Sequence, residues 1–398
     1  MSALTQVLQV NVRLSEGGAA GVARTLADTL TANGIASPFA YGYSKGGRAS
    51  PLENEYDAVR ITPKPVAAVN RLAYSVVGRE SRIVSGRHWR NLRAAIDDAD
   101  VVHLHAIHSH IVDLPVLVDA LIDARKPVVW TLHDQWIMTG RCAQPGTCRL
   151  WESGCQKCPD LQAYPPAVID MAAPRWVDRR RDIERLQAAV PVALVACAEW
   201  LADEARQASF SGVETITNSV DPLFWSVTRS RHTSKRERPT RNLFMCRDLR
   251  DDRKVDWELL RTIASIDGQS LTIVGSDAPQ RFAGPRWVDA ISDRADLATE
   301  MMKHDRLIFT SRIDYFPLTI TEALVAGLEV YAVDSQAARE FQRHPAVRIF
   351  SSTGELEAAA REDKPAQRGQ DDVAVFDPER MAADYVAVYK RLVSETKR

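Results

Sequence analysis

Two carboxylates, Asp314 and Glu322, bracket the stretch Asp314-Tyr-Phe-Pro-Leu-Thr-Ile-Thr-Glu322. An apolar run, Leu307 to Thr310, precedes it, and a helical segment from Thr319 to Ala326 ends at Gly327. The region reads as strand, loop and short helix. Asp314 then lies on the loop, Glu322 inside the helix, and the amides of Leu318 and Thr319 at the helix N-terminus. Unpaired N–H groups and the helix dipole there favour an anion such as a diphosphate. A ligand with hydroxyls on both sides of its diphosphate fits: Asp314 accepts from sugar hydroxyls and Glu322 from a ribose. A nucleotide sugar has that layout.

A second set of reactive groups precedes it. His103-Leu-His105-Ala-Ile-His108-Ser-His110 closes one apolar run and Thr131-Leu-His133-Asp134-Gln-Trp136 closes another. Strand alternation puts His103 and His105 on one face, where their imidazoles could hold an acceptor hydroxyl, a phosphate or a metal. An adjacent His133-Asp134 pair can orient an attacking hydroxyl, and the Trp136 indole offers a flat face for a sugar. Asp98-Ala-Asp100 mimics a metal-binding D-x-D but reads as a helix end and strand entry. The cysteines Cys142, Cys148, Cys155 and Cys158 end in a C-x2-C knuckle. Two upstream thiolates could complete a tetrahedral structural zinc site; reduced thiols or a disulfide pair are the alternatives.

The elements that must hold these groups repeat one phrase. Gln6 to Val12 is a strand; Ser15-Glu-Gly17-Gly18-Ala-Ala-Gly21 is a glycine loop leading into Val22, Leu26 and Leu30 at helical spacing. Further strands read at Ser37–Tyr41, Val101–His105, Val128–His133 and Val192–Cys197, and a second set at 242–246, 271–275, 307–310 and 330–333. Such alternation predicts parallel doubly wound sheets with ligands at the carboxyl ends of the strands. Gly17 and Gly18 lie at such an end and let backbone approach a phosphate or sugar. After the first strand of the second set, Arg247-Asp-Leu-Arg250-Asp-Asp-Arg253-Lys254 supplies cations for a diphosphate. A dinucleotide-binding oxidoreductase fits poorly, because the loop is not G-x-G-x-x-G and 31–47 holds no Asp or Glu.

Ser311 to Gly327 resembles the E-x7-E element of retaining GT-B glycosyltransferases of family 4, with Asp314 in place of the first Glu. Asn11 to Ala23, Tyr41 to Gly47, Trp130 to Trp136 and Gly154 to Pro159 are similar to the branch of that family serving colanic acid biosynthesis. The resemblance implies an α/β GT-B fold: two Rossmann-like domains with parallel sheets facing a central crevice, and a C-terminal helix crossing back to the first. The division is then residues 1–220 for the acceptor, a linker over 221–241, 242–375 for the donor, and the helix 376–398. It implies retaining transfer of a hexose from a nucleotide diphosphate sugar, UDP-galactose in the family's usual assignment, to a lipid-diphosphate-linked oligosaccharide. His105, His133, Asp134 and Asp314 carry the catalytic roles. Gly17, Gly18, Arg247, Arg250, Lys254, Leu318, Thr319 and Glu322 bind the donor, and no cofactor is needed for catalysis. Asp248 stands where the family has an Arg, and Ser219 where it has Gly in N-G-V-D. These departures keep open an inactive GT-B module that binds nucleotide sugar or glycan.

The chain has 398 residues, 45% hydrophobic, and a net charge of −1, which gives no call for nucleic acid. No apolar run is long enough to span a bilayer and the start lacks a signal-peptide pattern, so a cytoplasmic protein is expected. Arg71, Arg79, Arg82, Arg87, Arg90 and Arg93 stand among Leu72, Tyr74, Ile83 and Trp89. That pattern suits either a segment peripheral on the inner membrane surface or a solvated helix face. Asp377-Pro378 should cap a last helix with Met381, Tyr385, Val388 and Leu392 in one stripe.

Overall fold

The structure, a computed structural model, describes residues 4–44, 48–82, 86–230, 240–362 and 373–396. It divides into two compact units, Met1–Thr217 with Met381–Arg398, and Asn218–Arg380.

The first unit holds strands β1 (Val7–Asn11), β2 (Phe39–Tyr41), β3 (Val59–Arg60), β4 (Val101–Leu104), β5 (Val128–Leu132), β6 (Val192–Ala196) and β7 (Glu214–Thr215). They form one parallel sheet in the order β3-β2-β1-β4-β5-β6-β7. Helices α1 (Gly18–Ala32), α2 (Lys64–Val77), α3 (Gly86–Asp98), α4 (Leu114–Ala124), α5 (Ala172–Ala189) and α6 (Glu199–Gln207) connect them. The strand order reverses between β1 and β4, and the crevice beyond the carboxyl ends of these strands is where open sheets of this kind bind ligands. All residues of β1, β4 and β5 are buried, as a sheet covered on both faces requires. Asp100 accepts from Thr5 N at 2.7 Å, Thr5 Oγ1 at 2.8 Å and Gln6 N at 3.0 Å, so this carboxylate ties the entry of β4 to that of β1.

The second unit begins with α7 (Pro222–Arg229), which Asp221 caps by accepting from Leu223 N and Phe224 N. The linker expected over 221–241 therefore opens with a helix, which packs on α9 (Arg294–Met301). Its basic residues Arg231, Lys235, Arg236 and Arg238 lie outside the described residues, as do Ile83, Val84 and the charged stretch 363–372. The strands are β8 (Thr240–Asp248), β9 (Gln269–Ser276), β10 (Arg286–Val288), β11 (Arg306–Phe309), β12 (Glu329–Val333) and β13 (Val347–Phe350). They form a second parallel sheet ordered β10-β9-β8-β11-β12-β13. The remaining helices are α8 (Trp257–Ala264), α10 (Leu318–Val325), α11 (Gln336–Arg339) and α12 (Thr353–Glu362).

Helix α13 (Pro378–Glu395) belongs to the first unit from Met381 onward. Met381, Tyr385, Val388 and Leu392 are buried, and so is Tyr389. The Tyr389 hydroxyl lies 2.7 Å from His103 Nδ1, and the Tyr385 hydroxyl 2.8 Å from Thr131 Oγ1. Apolar burial and two paired hydroxyls thus fasten this helix on the first sheet.

Candidate active site

In the first unit the reactive groups gather beyond the ends of β1, β4 and β5. His103 is fully buried between Tyr389 and Thr131, the latter 2.7 Å from its Nε2. It stacks on His105, with ring centroids 4.1 Å apart. Both rings lie on one face, as strand alternation predicts, but His103 is a packing residue held to α13.

His105 belongs to a directed chain. Ser37 Oγ donates to the Val7 carbonyl, and Gln9 Nε2 donates to Ser37 Oγ at 3.0 Å. Gln9 Oε1 is left to accept from His105 Nε2 at 2.8 Å. With Nε2 protonated, the neutral His105 ring has an accepting Nδ1, which receives the His133 Nε2–H at 2.9 Å. His133 then keeps a bare Nδ1 lone pair, with no hydrogen bond to it among the described residues. Burial depresses the imidazole of His133 to about 4, despite the opposing charge of Asp134. Burial, then His103 and His133, hold His105 well below the usual range. Both rings are neutral near pH 7, and His133 presents a hydrogen-bond acceptor of fixed tautomer.

Asp134 does not pair with its neighbour His133. Its Oδ2 meets His108 Nε2 at 2.8 Å and its Oδ1 accepts from Trp136 N at 2.9 Å. Burial works against its charge, but His108 and the Trp136 amide outweigh it and hold the carboxyl below its ordinary value. The reason is local: the chain turns after β5, so successive side chains stop alternating and Asp134 swings toward the loop after β4. Trp136 is also not a free plate. It is buried, with the Arg179 guanidinium 3.7 Å from its ring centroid.

Gly17 supplies the positive φ, 95°, that starts α1, and a Cβ at Gly17 or Gly18 would meet nothing within 4 Å. The loop is open enough for a ligand to reach its backbone.

In the second unit, Lys254 follows β8 and Asp314 follows β11, the adjacent strands at which that sheet reverses order. Their charges meet at 2.5 Å, Nζ to Oδ1. The amides of Leu318 and Thr319 open α10 after Pro317 and carry no hydrogen bond among the described residues. Glu322 is buried in α10 and paired with Arg294 Nη1 at 3.3 Å. Burial pushes its carboxyl up to about 7, with Arg294 opposing the shift and Asp221 adding to it. Arg250 is held by Asp248 at 2.8 Å and Asp277 at 3.3 Å, whereas Arg247 is exposed and has no ion pair among the described residues. Of the two arginines expected to face a diphosphate, Arg247 is the one not already neutralised.

Glu322 yields an expected pH dependence. Its ionised form accepts from two hydroxyls and its protonated form gives up one lone-pair site, so a ribose favours the ionised form. Nucleotide-sugar affinity measured by calorimetry should fall as pH drops below about 7 and level off above it. The dependence should vanish in Glu322→Gln.

Cys142, Cys148, Cys155 and Cys158 are free thiols. Burial pushes Cys142 up to about 11, with the other three thiols adding to the effect, and burial also raises Cys155. Among the described residues no three His, Cys, Asp or Glu side chains stand where a metal ion could be held. In chelator-treated protein, iodoacetamide should label Cys148 and Cys158 ahead of Cys142 and Cys155, read by peptide mass. A zinc site over these four would instead protect all of them until chelator is added, with about one metal per chain.

Two participants, Gln9, which fixes the histidine tautomers, and Arg294, which holds Glu322, carry no motif in the sequence; Gln9 left a trace only as a polar residue in the middle of β1. His108 stood among the clustered histidines, but its partnership with Asp134 did not.

Comparison with known proteins follows the same lines. Residues 16–223 match the model of Glycosyltransferase Family 4. The provisionally named colanic acid biosynthesis glycosyl transferase WcaC of Escherichia coli (strain K12) is 31% identical over 408 residues, covering 97% of this chain and 100% of that one. Among solved structures, Anabaena Alr3699/HepE in complex with UDP-glucose superposes with a TM-score of 0.56 at 14% identity, covering 98% of both chains. Sucrose-phosphate synthase from Thermosynechococcus elongatus gives 0.58 at 13% identity over 98% of this chain and 100% of that one. These likenesses agree with the GT-B fold of two parallel-sheet Rossmann-like units.

Proposed function

Because the chain belongs to glycosyltransferase family 4, we propose that it moves a hexose with retention from a nucleotide diphosphate sugar to a lipid-linked exopolysaccharide intermediate. The single observation that supports this best is the meeting of Lys254 and Asp314 beside the open start of α10. A cation, a carboxylate and two helix-start amides without backbone partners among the described residues are brought there by strand ends and a helix start. The leaving diphosphate gains charge in the transition state, and Lys254, Arg247 and the Leu318 and Thr319 amides are groups suited to meet it. Asp314 is released to a sugar hydroxyl when the diphosphate takes over Lys254. Glu322 accepts from the ribose.

His133 Nδ1 accepts from the attacking hydroxyl and aligns it, while the departing phosphate takes the proton on the same face. By analogy with the Escherichia coli relative, the product belongs to a colanic-acid-like exopolysaccharide and galactose from UDP-galactose is the favoured transfer. The acceptor's lipid places the work at the cytoplasmic surface of the inner membrane. No described helix is long and apolar enough to cross a membrane.

A panel of UDP- and GDP-hexoses, each mixed with a lipid-diphosphate sugar acceptor, tests the reading by nucleotide release. UDP-galactose should give the fastest acceptor-dependent release. Binding without turnover for every pair would mean an inactive module.

A further inference from the structure

A cavity of about 280 Å³ lies in the first unit between the end of α2, the start of α4 and the middle of α5. Its charges are nearly balanced, yet they are not equally engaged. Asp178 pairs with Arg175 and Arg181, Asp119 and Asp182 pair with Arg185, and Glu80 accepts from His110 N.

Asp113 differs from the other acids. It sits at the N-cap of α4, where a carboxylate ordinarily accepts from the first amides, but its side chain makes no capping bond. It is 2% exposed, its Oδ2 has no hydrogen-bond partner, and the nearest cation, Arg82, stands 3.5 Å away on an exposed side chain. Burial pushes this carboxyl up to about 6. Trp136 Nε1 is likewise buried without an acceptor. Arg79 lines the same space, and its charge is the strongest of those that oppose the effect of burial on Asp113. A buried acceptor, a buried donor and a cation facing that acceptor thus border one sugar-sized space.

An apolar ridge runs beside it. Val69, Leu72 and Val76 fall at helical spacing on α2 and are exposed, as is Val77 just before the cavity-lining Gly78 and Arg79. The loop carrying exposed Val168 and Ile169 is fixed to α2, both amides donating to the Ser75 carbonyl. Exposed Val177 on α5 stands between the cavity residues Arg175 and Asp178. Tyr74, expected at a membrane interface, is instead buried with its hydroxyl donating to the Arg141 carbonyl.

We propose that cavity and ridge form a seat for one amphiphilic molecule, its hydroxylated anionic head bound by Asp113, Arg79 and Trp136 and its apolar tail lying on Val76, Val77, Val168 and Ile169. The proposal rests on the lipid-acceptor reading and places that acceptor's head on the chain. A flat anionic bilayer is a poorer occupant, because Asp113 and Trp136 Nε1 are buried inside the cavity, where a single head can enter and a flat surface cannot.

The probe is monomeric dihexanoyl-phosphatidylinositol, kept below its micelle concentration and followed by tryptophan fluorescence with the full chain. Inositol 1-phosphate, vesicles of long-chain phosphatidylglycerol, and UDP-glucose by calorimetry run beside it. Saturable binding is expected, weakened at least about tenfold by Arg79→Gln and by Asp113→Asn. Val77→Ser, Val168→Ser and Ile169→Ser together should weaken the short-chain lipid similarly and leave inositol 1-phosphate unchanged. Absence of saturable binding, parent-like binding in both single variants, or binding to vesicles alone overturns the seat. UDP-glucose affinity should be unaltered in every variant; its absence from the parent would count against the donor reading and not against the seat.

Discussion

Lys254→Ala is expected to weaken binding of a nucleotide diphosphate sugar by one to two orders of magnitude. Lys254 is the cation placed where the second sheet reverses order, and its ammonium is already drawn to 2.5 Å from Asp314. Removing it takes away a charge-assisted hydrogen bond worth about 1.5–3 kcal/mol, which corresponds to a loss of about ten- to a hundredfold. It also leaves Asp314 unpaired beside the incoming diphosphate, so like-charge repulsion adds to the loss. Arg250→Ala should cost far less, because Asp248 and Asp277 already neutralise that guanidinium. Calorimetry with UDP-glucose and UDP-galactose reads both. An affinity unchanged in Lys254→Ala and equally unchanged in Glu322→Ala would remove the donor assignment.

His133→Ala carries the second large effect, on turnover. The chain from Val7 through Ser37, Gln9 and His105 holds the His133 ring with its Nδ1 bare. A side chain so fixed aligns a reacting hydroxyl without spending rotational freedom at the moment of reaction. Groups that handle a reacting proton contribute roughly 10²–10⁴ in rate, so a fall in kcat of at least about a hundredfold is expected with donor affinity preserved. The pH profile separates this role from mere packing. A ring depressed to about 4 by burial stays neutral above that value, so the parent's turnover should show no break near 6.5 due to this residue. Loss of donor affinity equal to the loss of turnover would assign His133 to donor binding or to folding.

The two sheets were legible because every residue of β1, β4, β5, β11 and β12 is buried, and such strands write themselves as predominantly apolar runs. The short strands Val59–Arg60, Glu214–Thr215 and Arg286–Val288 at the sheet edges were not legible, since two or three residues, none of them buried, leave no period to detect. Helix α13 could be read from its stripe, but its hydroxyl contacts to His103 and Thr131 bridge separations of 286 and 254 residues. The candidate site divides in the same way. Lys254, Asp314 and Glu322 are placed by strand ends and a helix start, which sequence patterns locate well. The partners of Asp134 and Glu322 depend on how a loop turns beyond its strand and on how α9 lies against α10. Tertiary packing decides both, and spacing along the chain carries no record of it.

The most direct measurement is proton NMR of the anomeric centre during reaction. UDP-galactose, whose hexose is α-linked to the diphosphate, is mixed with the chain and a lipid-diphosphate sugar acceptor while UDP release is followed in the same tube. UDP should appear together with a new α-configured galactosyl signal on the acceptor, both abolished by Lys254→Ala with His133→Ala. A β-configured product would contradict retention. No UDP release from any nucleotide sugar, with binding intact, would contradict the enzyme itself.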